Sequence, residues 1–131
     1  MVVANIRLRQ TAVRWLPLLL WMAIIFAVSD RTPSELPQFG LMDVVLKKGA
    51  HFLAYAWLAL LAYRALSYGR HRVLWALFIV AAYAVSDEIH QSFVPGRHAM
   101  LADVLIDTLG GAAGLYGRLR WAKRPLIRDR G

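Results

Sequence analysis

Cysteine is absent from the 131 residues, so no disulfide, thiolate metal ligand or cysteine nucleophile is available. Acidic residues are scarce: eight Asp and Glu stand against sixteen Lys and Arg, for a formal net charge of +8. Charge of either sign makes up only 18% of the chain, against the roughly 25% of an average soluble domain. Long apolar runs are missing too, since no block reaches the ~20 residues of a standard membrane span. There is no internal repeat and no low-complexity segment.

What is present is apolar. Hydrophobic residues make up 59% of the sequence, above the roughly 45–50% of soluble domains. Mean hydropathy is +0.45. A soluble protein this apolar would need a core too large for one domain of this length. The apolar residues gather at 15–29, 49–65, 73–86 and 99–116, with the charges between the blocks. A soluble bundle of buried helices is the alternative. It fails because no block has a polar face wide enough for water. The basic residues flank the blocks rather than forming a stripe, which excludes nucleic acid as partner and fits a membrane surface.

Charge sidedness sets the expected topology. With both termini and the 66–72 loop in the cytoplasm, twelve of the sixteen Lys and Arg lie inside, and Arg31, Lys47, Lys48 and Arg97 lie outside. Seven of the eight acids then lie outside. Trp15, Trp75 and Trp121 fall at the inner interface, where indoles anchor. The expectation is one all-α domain over 1–131, a polytopic membrane bundle of four short transmembrane helices with N and C termini cytoplasmic. Its core covers about 14–118, and 119–131 is a basic tail. The first block has a competing reading as a cleaved signal peptide, with Arg7, Arg9 and Arg14 ahead of it and Ala27-Val28-Ser29 as a small-residue site. The outer loop of 30–48 begins irregularly around Pro33 and Pro37, and a helix restarts near residues 41–43. A turn at Pro95-Gly96 separates the third and fourth spans.

Polar residues inside the blocks fall at one depth. At ~1.5 Å per helical residue, His51 stands roughly 20 Å above Arg64 and Tyr55 about 14 Å. Asp87 stands about 22 Å above Arg72, and Asp103 and Asp107 about 22 Å and 16 Å above Arg118. In a hydrocarbon core of ~30 Å, that is the outer half. Intramembrane ionisable groups are costly and face a partner or a wet cavity. Lys48, His51 and Tyr55 share one helical face, as do Asp103, Asp107, Gly110 and Gly114. The two glycines make a small-xxx-small contact for another helix. Taken singly, each group has a bland reading: an interfacial histidine, aspartates bridging helices, or Asp87 and Glu88 as a solvated loop start. The convergence of several types at one level points to a functional site.

The run Asp87-Glu88-Ile89-His90-Gln91-Ser92-Phe93-Val94-Pro95-Gly96-Arg97, with Asp103-Val104-Leu105-Ile106-Asp107-Thr108-Leu109-Gly110 after it, resembles the VanZ-like family. So does Lys48-Gly49-Ala50-His51-Phe52-Leu53-Ala54-Tyr55, and more weakly Ser29-Asp30 followed by Pro33. The resemblance covers about 14–118 and rests on Asp-Glu-x-x-Gln, Pro-Gly-Arg and a later Asp; His90 is not part of that pattern. It implies a bacterial cytoplasmic-membrane protein, linked to resistance to the glycopeptide teicoplanin. It also implies a grouping with membrane enzymes proposed to act on phosphate-linked lipid head groups.

On that reading His51, Asp87, Glu88, Asp103 and Asp107 are the candidate catalytic residues. Lys48 and Arg97 are phosphate clamps, and Tyr55 and Gln91 orient the substrate. His51 would serve as general base or nucleophile. The four carboxylates could hold a divalent cation such as Mg²⁺, although no dedicated metal motif is present. The expected partners are membrane lipids, above all a phosphate-linked envelope lipid. The alternative is a non-catalytic module that binds a lipid precursor, an antibiotic or another membrane protein. Transport is a weaker third reading, since four short helices would conduct only as an oligomer.

Overall fold

A computed structural model describes residues 2–31, 41–67, 69–97 and 99–123, with side chains from residue 9 in the first helix and at 42 and from 45 in the second. The irregular stretch expected around Pro33 and Pro37 lies outside the described residues, as do Arg124, Arg128, Asp129 and Arg130 of the basic tail. The chain is all-α: α1 spans Val2–Ser29, α2 Leu41–Ala65, α3 Arg72–Gln91 and α4 Leu101–Ala122. No strand occurs among the described residues.

Each helix runs beyond its apolar block. The largest consequence is at α3, which continues five residues past 86 to Gln91. The acidic pair is therefore helical and not a loop start. Asp87, Glu88 and Gln91 are buried on one face, so burying their side chains goes together with keeping their backbone in the helical ladder. The helix ends where the Ser92 N–H bonds back to the Glu88 carbonyl.

The segments Arg9–Ser29 and Arg72–Gln91 are long and apolar enough to cross a membrane; among the described residues, α2 and α4 do not meet that measure. Charges at both ends of α2 and α4 account for this.

Helix α2 packs against the other three helices, whereas α1 touches α2 and α3 alone among the described residues. Helices α2 and α4 run parallel: Lys48 meets Asp103, His51 meets Asp107, and further along Phe52 faces Gly110 and Ala56 faces Gly114. A Cβ on Gly110 would collide with the Phe52 carbonyl oxygen, and one on Gly114 would sit 2.6 Å from the Ala56 carbonyl oxygen. Only hydrogen at these positions lets the two backbones approach so closely. Gly111 serves α3 in the same way, since its Cβ would lie 2.7 Å from Val80 Cγ1.

The interior is small-residue packing, with Ala59, Ala62, Ala76 and Ala84 fully buried beside Leu18, Leu58 and Leu115. Large apolar side chains point outward on all four helices, among them Leu19, Leu53, Phe78 and Leu109. The buried set includes Ser29, Asp87, Glu88, Gln91 and Asp107. Apolar outside and charged inside is the reverse of a water-soluble surface.

Candidate functional site

The polar groups collect at the end of the bundle where α1 and α3 finish and α2 and α4 begin. The centre is Asp87, with 2% of its surface exposed. Its Oδ2 accepts from Ser29 Oγ at 3.0 Å, Gln91 Nε2 at 3.0 Å and Tyr55 Oη at 3.3 Å. Three helices thus supply donors to one oxygen. Oδ1 of the same carboxylate is buried and has no hydrogen-bond partner among the described residues. Such an orphan is costly in an apolar interior and calls for a reason.

Asp107 on α4 is 3% exposed, and its Oδ1 is also buried without a hydrogen-bond partner among the described residues. His51 Nδ1 stands 3.6 Å away, outside the range of a normal hydrogen bond. One ligand-type atom from each of His51, Asp87 and Asp107 lies within 4.8 Å of the other two. Three helices therefore bring a nitrogen and two carboxylate oxygens to one point.

Arg97 reaches this centre through Gln91. Pro95 and Gly96 occupy the middle of a turn closed by the Arg97 N–H to the Val94 carbonyl at 3.1 Å. Gly96 has φ +80°, as the third position of a type II turn requires. The turn sends Arg97 back over the end of α3. Its Nη1 donates to Gln91 Oε1 at 2.9 Å, and its Nε donates to the Arg31 carbonyl at 3.2 Å. Gln91 then passes the connection to Asp87.

Two of the candidate acids stand apart. Asp103 is paired with Lys48, and both side chains are about one-third exposed, at 32% and 38%. Glu88 accepts the backbone N–H of Met100, an orphan donor just ahead of α4. Spacing had put Asp103 on the face of Asp107, and that holds. Being one turn nearer the end of α4, Asp103 meets the lysine at the rim rather than the centre. So His51, Tyr55, Asp87, Gln91 and Asp107 come together, Arg97 joins through Gln91, Lys48 and Asp103 form the rim, and Glu88 is buried against the start of α4.

Sequence reasoning passed over Ser29 as a site residue. It is 1% exposed and gives Asp87 a hydrogen bond. Its signal was a hydroxyl closing an apolar block immediately ahead of Asp30. His90 lies beside the site, stacked on Phe26 with ring centroids 4.0 Å apart and with Nε2 3.3 Å from Asp30 Oδ1. An apolar concavity of about 350 Å³ lies between α1 and α2, lined by Trp21, Ala50, Leu53, Ala54 and Trp57. None of the centre's residues lines it.

Among the described residues, four packed helices with large apolar side chains outside and a histidine–carboxylate centre between them define the class: a small all-α bundle, two of whose helices are long and apolar enough to cross a membrane. The profile of the VanZ/LLP1 family matches residues 6–120, and the chain belongs to that family. No curated relative and no solved structure matches it.

Proposed function

We propose that the chain is a four-span protein of the bacterial cytoplasmic membrane, with both termini inside, whose polar centre opens to the outer leaflet and acts on a phosphate-linked lipid head group. The observation that carries this reading is the convergence of His51, Asp87 and Asp107 within 4.8 Å. Family membership and the two apolar helices support the membrane setting, and the basic residues of 64–72 and 118–123 at the other end support the orientation.

In the proposed reaction, a water or alcohol oxygen bonds to phosphorus and the P–O bond to the leaving alcohol breaks. The proton of the attacking group passes to the His51–carboxylate centre and returns to the leaving oxygen. Arg97, anchored by Gln91, is positioned to meet phosphate oxygens with a planar fork. Tyr55 and Gln91 hold Asp87 in place. The link to teicoplanin-type resistance follows if the substrate is an envelope precursor carrier.

Purified protein incubated with labelled lipid-linked phosphates tests this reading. Release or exchange of the head group is the expected result, and its absence across isoprenoid and glycerol phospholipids would reject it. Reporter fusions at Gly69 should read cytoplasmic; an external signal there would reject the orientation. The second reading is a non-catalytic module binding a lipid precursor, an antibiotic or a partner protein. It is favoured by the pairing of Lys48 with Asp103, which leaves one fewer cation for a phosphate.

A further inference from the structure

We propose that His51, Asp87 and Asp107 are the protein ligands of a divalent transition-metal ion. The centre differs from the all-carboxylate cation site that the sequence suggests, because Asp103 and Glu88 are engaged elsewhere and an imidazole takes part.

Three independent features carry the inference. The first is geometry. Ligand atoms about 2.1 Å from one tetrahedral ion stand about 3.4 Å apart. Atoms already within 4.8 Å of one another reach that spacing through small side-chain rotations. The second is the division of labour within Asp87. Oδ2 is held by Ser29, Gln91 and Tyr55, while Oδ1 is left bare. Ligating carboxylates are oriented in this way, with one oxygen fixed by outer hydrogen bonds and the other presented to the ion. The third is charge. Asp87 and Asp107 each leave a buried oxygen unsatisfied, and both face the same interior. Two buried carboxylates repel unless a cation lies between them. A divalent ion neutralises the pair and satisfies both bare oxygens together.

The donor set selects the metal. One imidazole and two carboxylates suit zinc or manganese, whereas Mg²⁺ prefers oxygen donors and its own waters. Three protein ligands leave at least one coordination position for an exogenous oxygen, the arrangement of catalytic rather than structural sites. Arg97 stands one hydrogen bond beyond the centre, on Gln91, so an anionic oxygen donor fits that position. The inference does not depend on the lipid-phosphate reading: metal can be bound with no turnover of any lipid tested.

The test is metal analysis of the full chain purified in detergent, followed by chelator stripping and reloading with Zn²⁺, Mn²⁺ or Mg²⁺ separately while thermal unfolding is monitored. About one transition-metal ion per chain is expected, with a rise in unfolding temperature on reloading with Zn²⁺ or Mn²⁺ and little with Mg²⁺. Asp107→Asn and His51→Ala should lose the ion, and Asp103→Asn should keep it. Ser29→Ala, which frees one restraint on Asp87, should weaken affinity by about tenfold. Wild-type protein that neither carries a transition metal nor responds to Zn²⁺ or Mn²⁺ would overturn the proposal, whatever the variants do. So would a response to Mg²⁺ alone, or equal loss of metal from Asp103→Asn and Asp107→Asn.

Discussion

The two ends of the bundle treat charge in opposite ways. At the arginine end, charges stay near the surface and fasten the backbone. Arg14 Nη1 donates to Ser67 Oγ at 2.6 Å, and Arg72 Nε donates to the Tyr63 carbonyl at 2.6 Å with its guanidinium 3.6 Å above the Tyr63 ring. Arg64, Arg70, Arg118 and Arg120 are exposed. At the acid end, Asp87 and Asp107 are almost wholly buried, and each keeps an oxygen without a hydrogen-bond partner among the described residues. Surface charges with partners contribute little stability and impose little cost. Buried carboxylates with bare oxygens are expensive, and a fold that holds them there has a use for them. On the proposed reading, the arginine end serves placement and the acid end serves chemistry.

The contrast can be broken most forcefully between the ends. Gly110→Leu should abolish folded protein, because even a Cβ there meets the Phe52 backbone, which cannot move aside as a side chain can. Overpacking typically costs about 1–3 kcal/mol, occasionally more. Monodisperse yield in detergent measures the loss, and a well-folded Gly110→Leu protein would show that α2 and α4 do not touch as described. The next effect is at the centre. Asp87→Asn and His51→Gln should insert and fold, while lipid-phosphate turnover falls ~10²–10⁴-fold. Normal turnover from the well-expressed double variant would show that the chemistry does not depend on this centre.

A smaller effect sharpens the centre against its rim. Asp103→Asn removes only the partly exposed pair with Lys48. It should cost ~1 kcal/mol or less in stability and change turnover less than Asp87→Asn does. Equal losses from the two would erase the distinction drawn between them. The smallest change is expected at the arginine end. Ser67 has φ +52°, a left-handed conformation costing a non-glycine residue roughly 1–2 kcal/mol. Ser67→Gly relieves that strain but forfeits the bond from Arg14, so unfolding temperature should shift little and turnover not at all. A collapse of turnover would mean that the arginine end also takes part in the chemistry.

Much of the acid end could be read in the amino-acid order. His51 and Asp107 each lie within an apolar block, where a charge stands out, and the Gly110–Gly114 spacing marked the face that meets α2. Parallel helices made this legible, because positions that advance together in sequence stay level in space. The division among the carboxylates could not be read. Asp87, Asp103 and Asp107 look alike in sequence, and the pairing of Asp103 with Lys48 depends on the register between α2 and α4. Glu88 was drawn to a donor ahead of α4 by the path of the 92–100 connection, which no periodicity encodes. Ser29 escaped because a hydroxyl closing an apolar run is equally the mark of a cleavage site.

The Pro95-Gly96 turn carries a consequence in handedness. With φ at +80°, residue 96 occupies backbone space natural to a D-amino acid and foreign to an L-amino acid. Chemical synthesis could therefore exchange Gly96 for D-alanine and keep Arg97 seated on Gln91, whereas L-alanine with the same atoms would push the guanidinium away. The reach of the arginine toward the buried centre thus rests on a backbone handedness at residue 96 that glycine, having no stereocentre, adopts without strain.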